Sequence, residues 1–244
     1  MASLKGKVAV VTGASRGIGR GIAERLARDG ATIVVNYTKS AGEAKKVVAG
    51  IEASGGTAIA VQADVSKVAD IRRLFQETKK AFGRLDILVN NAGVFWTKPI
   101  IDTTEEEYDH MFAVNAKGQF FAMQEAAKHM AAGGRIVNIS TGATKMVFPG
   151  ISAYAGSKSA LESFTKVVAK ELGARKITVN TVSPGYTETD MLSDPQFRAI
   201  GAQASPLGRL GTPADIAQVV AFVVSEEGGW ITGDTIQAGG GVAM

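Results

Sequence analysis

Cysteine is absent from the 244-residue sequence, and histidine is scarce. The missing thiols exclude disulfides and thiolate metal sites. His110 and His129 have no spaced carboxylate partner, so we predict that the chain holds no metal. No apolar run approaches the ~20 residues that cross a bilayer, and the sequence does not start like a secretory leader. We therefore expect a cytoplasmic protein with no membrane partner.

A strong excess of charge of one sign is also absent. Lys and Arg number 27 against 23 Asp and Glu, which gives a net charge of +4, and the basic residues are scattered along the chain. No basic run could follow a phosphate backbone, so we expect no nucleic-acid partner. The mild basicity suits a small anionic ligand.

Short apolar, β-branched segments alternate along the chain with segments of helical period. No long linker or internal repeat marks a second domain. This alternation predicts an α/β fold, a single doubly wound domain over residues 1–244 with a parallel sheet and helices on both faces. The seven predicted strands cover residues 7–12, 31–36, 57–62, 85–89, 135–140, 177–182 and 235–237.

A glycine-rich turn follows the first predicted strand and leads directly into a helix. Glycine is needed where the chain turns sharply, and a missing side chain lets a pyrophosphate approach the backbone N–H groups at the helix N-terminus. The spacing is G-x-x-x-G-x-G, and a tight turn without a ligand is the alternative interpretation. The position in the first strand–helix unit favours a nucleotide. The residues expected to contact it are Gly13, Ser15, Arg16, Gly17, Ile18 and Gly19.

The end of the second predicted strand bears on which nucleotide binds. A carboxylate about 20 residues beyond the turn would accept hydrogen bonds from the adenosine ribose, and that place holds Asn36. Asn36 does not repel a 2′-phosphate, and Arg16 and Lys39 offer positive charge. Both cations could instead be solvated surface charges. The agreement of the three positions predicts NADP(H) rather than NAD(H).

Tyr154 and Lys158 are four residues apart near the start of a predicted helix, so they share one helix face. Such a pair is common by chance. Polar and turn-forming segments follow three of the predicted strands, at the edge where open α/β sheets bind ligands. They are Asn90-Asn91-Ala92-Gly93, Ser140-Thr141 and Pro184-Gly185, and Asn115 lies in a further segment between them.

Taken in order, these motifs resemble those of the short-chain dehydrogenase/reductase family. The resemblance runs along essentially the whole chain, from the glycine turn through N-N-A-G, the Asn115 helix, Y-x-x-x-K and P-G. Within the family the sequence is most similar to ketoacyl-carrier-protein reductases and hydroxynaphthalene reductases. The resemblance implies a Rossmann-type fold, a preference for NADPH and a homotetramer.

The resemblance also implies that Tyr154 is the general acid in reduction and the base in oxidation. A free tyrosine has a pKa of ~10, and the ammonium of Lys158 would favour the phenolate. Lys158 is expected to bond the nicotinamide ribose, and Asn115 to hold a water that joins Lys158 to solvent. Asn115 could also kink its helix by bonding to backbone, and both roles could hold together.

Relatives place a serine thirteen residues before this tyrosine, where it bonds the substrate oxygen. Here that position holds Thr141, and Ser140 precedes it. Neighbouring strand residues face opposite ways, so only one hydroxyl should face the site, and we predict that it is Thr141. Its extra methyl group and stiffer rotamer could narrow the pocket.

Further cofactor contacts are implied by the same resemblance. They are Asp64 and Val65 at the adenine, Asn90 and Gly93 at the two riboses, and Pro184, Gly185 and Thr189 at the nicotinamide. Asp64 could equally cap the following helix. Residues 187–208 are long and varied beside the catalytic face, which predicts a substrate lid.

The predicted function is NADPH-dependent reduction of a ketone or aldehyde group on a small molecule by hydride transfer. A 3-ketoacyl-carrier-protein reductase of fatty-acid synthesis is the alternative. It needs a basic surface for its acidic carrier, for which Lys98, Lys145, Arg198 and Arg209 are available. A non-enzymatic NADP(H)-sensing protein is less favoured, because it has no need for the tyrosine–lysine pair.

Overall fold

The computed structural model describes residues 4–242 of the chain. One seven-stranded, fully parallel sheet has the strand order β3-β2-β1-β4-β5-β6-β7. Its strands are β1 (Val8–Val11), β2 (Thr32–Tyr37), β3 (Thr57–Gln62), β4 (Ile87–Asn90), β5 (Arg135–Ile139), β6 (Thr178–Pro184) and β7 (Thr235–Ala238).

Helices connect these strands and cover both faces of the sheet. They are α1 (Gly17–Arg28), α2 (Ala41–Ala53), α3 (Val68–Phe82), α4 (Glu105–Phe112), α5 (Gln119–His129), α6 (Ser152–Leu172), α7 (Pro195–Ala204) and α8 (Pro213–Val224). Between α4 and α5 the chain forms a π-helical turn, Ala113–Gly118. Within residues 4–242, no helix combines the length and the apolar character that spanning a membrane requires.

The two faces of the sheet bury two separate apolar cores, because successive strand residues point to opposite sides. Val11 of β1 packs in a core with side chains of α1, α2 and α8. Its neighbour Val10 packs in a second core with side chains of α3, α5 and α6. Both faces of β1 are therefore buried, which accounts for the continuous apolar run of that strand.

The predicted fold class is confirmed, including the seven parallel strands and the helices on both faces. The extent of the domain, residues 1–244, stays a prediction. The sequence did not indicate the π-helical turn at Ala113–Gly118.

The strand order creates a crevice between β1 and β4. The chain leaves β1 toward β2 and β3 on one side and returns to β4 on the other side. Ligands bind at such a reversal, beyond the carboxyl ends of the strands. The glycine turn after β1 and the loop after β4 meet there.

Candidate active site

The glycine turn between β1 and α1 has a backbone that side chains would disrupt. Gly13 and Gly17 have φ angles of +62° and +55°, in the left-handed region that favours glycine. A Cβ atom on Gly19 would lie 2.5 Å from the carbonyl oxygen of Gly13. No side chain caps α1 at Arg16, so the first N–H groups of this helix are available to an anion.

The loop after β4 closes against this turn through Thr12 and Asn91. The Thr12 hydroxyl accepts hydrogen bonds from the backbone N–H groups of Asn91 and Ala92, at 2.9 and 3.0 Å. The Asn91 amide donates to the carbonyl oxygens of Thr12 and Gly13, at 2.9 and 3.2 Å. These four bonds fix the N-N-A-G loop to the glycine turn, and together they form a cradle that fits the pyrophosphate of a dinucleotide.

Asn36 lies near the end of β2, as predicted, and its side chain points into the protein. Its side chain is 1% exposed, accepts from the Gly13 N–H at 3.2 Å, and donates to the carbonyl oxygens of Val61 and Ala63. The polar atoms of this side chain are thus bonded within the protein, and the assignment of Asn36 as a cofactor-binding residue stays a prediction. Asn36 stabilises the glycine turn by accepting the hydrogen bond from the Gly13 N–H.

The two cations expected near a 2′-phosphate lie on the surface beside the turn. Arg16 is exposed, and its guanidinium is 3.5 Å from the exposed carboxylate of Asp190. Lys39 is also exposed, three residues beyond Asn36. A surface pair such as Arg16–Asp190 contributes at most about 1 kcal/mol, so Arg16 remains available to an anionic ligand.

Tyr154 and Lys158 lie in the first and second turns of α6 and are both buried, with exposures of 8% and 3%. The Lys158 ammonium donates to the carbonyl oxygen of Ile139, at the end of β5, at 2.7 Å. The ring of Phe95 meets the Tyr154 ring edge-on, with the ring centroids 4.8 Å apart. Both side chains are thus held at the carboxyl end of the sheet.

Burial dominates the titration of this pair. It raises the pKa of Tyr154 above its ordinary value, and the hydrogen bond with Thr141 opposes that rise. Burial also lowers the pKa of Lys158 to about 8, opposed by the charge of Glu162. Desolvation of the phenolate thus outweighs the hydrogen bond with Thr141, and the expectation that the Lys158 ammonium favours the phenolate stays a prediction.

Asn115 lies in the π-helical turn and is completely buried. Its carbonyl oxygen accepts from the Val94 N–H at 2.9 Å, and its amide donates to the Val94 carbonyl oxygen, also at 2.9 Å. The backbone-bonding alternative for Asn115 therefore holds, whereas its part in a water relay stays a prediction. A Cβ atom on Gly93 would lie 3.3 Å from the Asn115 oxygen and 3.5 Å from the Lys158 nitrogen. Both side chains therefore approach the backbone at Gly93 closely, which a larger residue would hinder.

The two hydroxyls after β5 point in different directions, as strand alternation predicts. The Thr141 hydroxyl bonds Tyr154 and also accepts from the Ala143 N–H at 3.2 Å. The Ser140 hydroxyl donates to Glu162 at 2.7 Å, on the α6 side. Ser140 is thereby turned away from Tyr154, and its alternative assignment as the substrate-orienting hydroxyl does not fit this geometry.

Three residues that were predicted to contact the adenine and the riboses, Asp64, Val65 and Asn90, make contacts within the protein. The Asp64 carboxylate accepts from the N–H and hydroxyl of Ser66, so it orders the turn before α3 rather than capping the helix itself. Val65 is buried beside it. Asn90 is 1% exposed and donates to Asn138 at 2.9 Å, and its predicted contact with a ribose stays a prediction. Its amide faces the interior.

The segment after β6 returns to the glycine turn. A Cβ atom on Gly17 would lie 3.4 Å from the methyl group of Thr189, so Thr189 lies beside the glycine turn. Its predicted contact with the nicotinamide stays a prediction. Pro184 ends β6, and the backbone at Gly185 passes against Gly239, where a Cβ atom would lie 2.8 Å from the Gly239 Cα. The segment after β6 is thus held between the glycine turn and the end of β7.

An aromatic and apolar cluster, which we call the entrance, packs against Tyr154. Trp96 stacks on His110, with centroids 6.0 Å apart and planes 2° apart. Phe95, Trp96 and Phe148 pack around Tyr154 in one cluster with Met111. His110 is exposed and contacts Trp96 on the surface. Within residues 4–242 no three His, Cys, Asp or Glu side chains are close enough to hold a metal ion.

The predicted lid, residues 187–208, contains a short 3-10 turn and α7. The Tyr186 ring packs against Gly201 of α7, where a Cβ atom would lie 2.6 Å from the Tyr186 Cβ. Met191, Phe197 and Ile200 are 50%, 40% and 52% exposed. The segment thus presents apolar side chains to solvent, and its movement as a lid stays a prediction.

One residue at this site was missed from the sequence. Glu162 lies four residues after Lys158, on the same face of α6, and bonds both Ser140 and Thr144. The repeated spacing of four from Tyr154 to Lys158 to Glu162 is the signal that could have identified it.

Known proteins match this chain along nearly its whole length. The sequence model of a family described as enoyl-(acyl carrier protein) reductase matches residues 13–243. Tetrahydroxynaphthalene reductase of Pyricularia oryzae is 45% identical over 260 residues, covering 100% of this chain and 92% of that protein.

Two solved structures have the same fold. A short-chain dehydrogenase from Burkholderia cenocepacia in complex with NADP is 44% identical, with a TM-score of 0.95 and 99% of each chain covered. The angucycline C-6 ketoreductase LanV with bound NADP is also 44% identical, with a TM-score of 0.95, covering 99% of this chain and 97% of that one.

Proposed function

Because this chain belongs to the short-chain dehydrogenase/reductase family, we propose that it is an NADPH-dependent oxidoreductase that reduces a ketone on a small molecule to an alcohol. One observation carries the proposal. Tyr154, Thr141 and Lys158 meet at the carboxyl edge of the sheet, beside a glycine turn whose helix N-terminus is uncapped. The three side chains can protonate and orient a carbonyl oxygen, and the glycine turn can hold a dinucleotide.

NADPH, when bound, supplies the hydride that reduces the carbonyl carbon. The phenol of Tyr154 gives its proton to the carbonyl oxygen, and the Thr141 hydroxyl donates a hydrogen bond that orients this oxygen. Burial raises the pKa of Tyr154, so the tyrosine is the neutral acid that reduction needs. Lys158 lies beside it as the cation that stabilises the phenolate left behind.

The residues around the turn suit NADP(H) rather than NAD(H). Asn36, at the end of β2, keeps its neutral side chain inside the fold, and Tyr37, Thr38 and Lys39 follow it without a carboxylate. Arg16 adds a positive charge at the same turn. An adenosine 2′-phosphate would meet no fixed negative charge from this strand end. The two NADP-bound structures that this chain resembles support the same cofactor.

The entrance suits a ketone attached to an aromatic or otherwise flat apolar body. Phe95, Trp96 and Phe148 offer aromatic surface around Tyr154. Tetrahydroxynaphthalene reductase and an angucycline ketoreductase are among the similar proteins, which supports this substrate class.

A 3-ketoacyl-carrier-protein reductase fits less well. Three of the four cations that could receive an acidic carrier form closer ion pairs than Arg16 does, so more of their charge is already neutralised by a neighbouring carboxylate. Lys98 bonds Glu107 at 2.8 Å, Arg198 bonds Glu188 at 2.9 Å, and Arg209 bonds Asp215 at 2.7 Å. A sensor without activity is also less favoured, because sensing does not require the Tyr154–Thr141 bond.

We further infer a single-domain cytoplasmic homotetramer. Two separate apolar surfaces support the oligomer. Phe120 and Val167 are 39% and 54% exposed on α5 and α6, and Phe222 and Trp230 are 45% and 99% exposed at and after α8. Two self-complementary faces build a tetramer of dihedral symmetry. Light scattering should give about four times 25.4 kDa.

The test is a panel of aromatic and aliphatic ketones, with NADPH oxidation followed by absorbance. We expect turnover by the wild type and a loss of at least about 100-fold in Tyr154→Phe, because the proton donor is removed. Tyr108→Phe is the matched control, since Tyr108 is 46% exposed on α4 and should keep full turnover. Equal turnover in wild type and Tyr154→Phe would contradict the proposal.

A further inference from the structure

Two consecutive residues at the end of β5, Ile139 and Ser140, form hydrogen bonds with side chains of helix α6. The Lys158 ammonium donates to the carbonyl oxygen of Ile139 at 2.7 Å. The hydroxyl of the next residue, Ser140, donates to the Glu162 carboxylate at 2.7 Å. Lys158 and Glu162 are one helical turn apart, so this face of α6 contacts two successive residues of the strand.

The Glu162 carboxylate has a second hydroxyl partner. Thr144 Oγ1 lies 3.0 Å from the same carboxylate oxygen and 3.1 Å from the carbonyl oxygen of Thr141. Glu162 is partly buried, so its charge is less screened than that of a surface glutamate. The segment that carries Thr141 is therefore bonded to Glu162 on both sides, through Ser140 before it and Thr144 after it.

From this geometry we infer that Glu162 is a positioning residue for the proposed reaction, which keeps Lys158 in its ammonium form and holds the segment between Ser140 and Thr144 so that Thr141 faces Tyr154. The inference rests on the proposed function in one respect only, that Lys158 acts as a cation. Glu162 itself has no contact with Tyr154 among its hydrogen bonds, and its effect passes through its neighbours.

The charges around Lys158 give the direction of the effect. Burial lowers the pKa of Lys158 to about 8, and the negative charge of Glu162 raises it. On α6 the other titratable group facing Lys158 is Tyr154. The other elements packed against it present the carbonyl oxygen of Ile139 on β5 and, around Gly93, the neutral amide of Asn115. Loss of the Glu162 charge therefore lets the ammonium lose its proton at a lower pH.

Lys158 also sets the alkaline limit of the reaction. Burial raises the pKa of Tyr154 above its ordinary value, whereas Lys158 titrates near 8. As pH rises, the ammonium is lost before the phenol ionises. The alkaline limb of kcat/KM for ketone reduction should therefore report the pKa of Lys158.

Glu162→Gln separates charge from geometry, because its amide oxygen can still accept from Ser140 and Thr144. We expect the alkaline limb to move to lower pH by about half a unit or more. At pH 6.5 the KM for the ketone should change less than about twofold, since no substrate contact is removed. Glu162→Asp, which keeps the charge, should recover at least half of the shift.

Two further variants serve as controls. Ser140→Ala removes one hydroxyl partner but leaves the carboxylate bonded to Thr144, so its alkaline limb should stay at the wild-type position. Glu171→Gln removes an exposed glutamate from the last turns of the same helix and should also leave the limb unmoved. If Glu171→Gln shifts the limb as much as Glu162→Gln does, the effect is one of net charge and the inference is wrong.

A direct titration does not depend on catalysis. Lysine labelled with ¹³C at Cε gives an NMR signal that reports protonation in the cofactor-free protein, and Lys158→Arg identifies the Lys158 signal by its loss. We expect a lower midpoint in Glu162→Gln than in wild type, with thermal unfolding confirming that both are folded. An unchanged midpoint overturns the inference. Absence of ketone reduction by the wild type would instead contradict the proposed function, and the NMR midpoint would still test Glu162.

Discussion

At the scale of single residues, the site depends on which face of a strand end each side chain occupies. Strand alternation correctly indicated that Ser140 and Thr141 could not both face Tyr154. The same rule could not place Asn36 or Asn90. Asn36 is the second-last residue of β2 and Asn90 the last of β4, and both side chains turn inward because partners on or beside the neighbouring strands satisfy them there. Those partners are distant in the sequence, so the motif alone did not reveal them.

The two hydroxyls after β5 provide the first residue-scale prediction. Thr141→Ala removes the group that bonds Tyr154, and we expect kcat for ketone reduction to fall about 100-fold. Ser140→Ala removes only the bond to Glu162, and kcat should fall less than about fivefold. Steady-state kinetics at pH 6.5, where Lys158 is charged in both variants, should give this ranking. The opposite ranking would show that Ser140 orients the substrate.

Thr141→Ser tests the methyl group at the same position. Serine keeps the hydroxyl donor and removes the methyl group that restricts the side chain. We expect turnover within about threefold of wild type on small ketones, and a lower KM for bulky ones because the pocket widens. A loss as large as that of Thr141→Ala would mean that the hydroxyl needs the rotamer that the methyl group imposes.

At the scale of secondary-structure elements, local patterns predicted the seven strands and their alternation with helices, but not the π-helical turn at Ala113–Gly118. Its six residues carry no local signal. The turn forms where Asn115 exchanges two hydrogen bonds with Val94, a residue 21 positions earlier in a different loop. A π-helical turn is rare and costly alone, so tertiary contacts decide it.

The turn between β1 and α1 gives a prediction at this scale. In Gly19→Ala the new methyl group would meet the Gly13 carbonyl oxygen and the Asn91 amide, so the turn must shift. We expect NADPH affinity, measured by fluorescence titration, to fall at least about tenfold, with a stability loss of about 1–3 kcal/mol. Gly42→Ala is the control. It lies in α2 with open space around its Cβ, and should bind normally and gain about 0.5–1 kcal/mol.

At the scale of the whole molecule, the order of motifs along the chain was more informative than any single motif. Y-x-x-x-K and a glycine cluster each occur by chance, yet a parallel sheet places the ends of all its strands at one edge. Motifs that follow β1, β4, β5 and β6 are thereby brought together. The family resemblance inferred from that order is confirmed.

Cofactor selectivity can be measured on the intact molecule through its stability. A ligand that binds only the folded state stabilises it by about 2.7 kcal/mol at a concentration one hundred times its Kd, and about 1 kcal/mol raises the Tm of a chain of this size by about 2–4 °C. NADPH should therefore raise Tm by about 5–10 °C at that concentration. NADH at the same concentration should raise it much less, because Arg16 and Lys39 have no 2′-phosphate to bind.

Arg16→Ala makes this comparison specific to the turn. Loss of the Arg16 guanidinium should reduce the Tm shift with NADPH. It should leave the Tm shift with NADH nearly unchanged, since NADH lacks the 2′-phosphate. Arg28→Ala removes a cation from the far end of the same helix and should alter neither shift. Equal Tm shifts with NADPH and NADH in the wild type would contradict this selectivity. They would mean that the uncharged end of β2 tolerates a 2′-phosphate but does not make the protein prefer NADPH. The cations beside the turn would then be solvated surface charges.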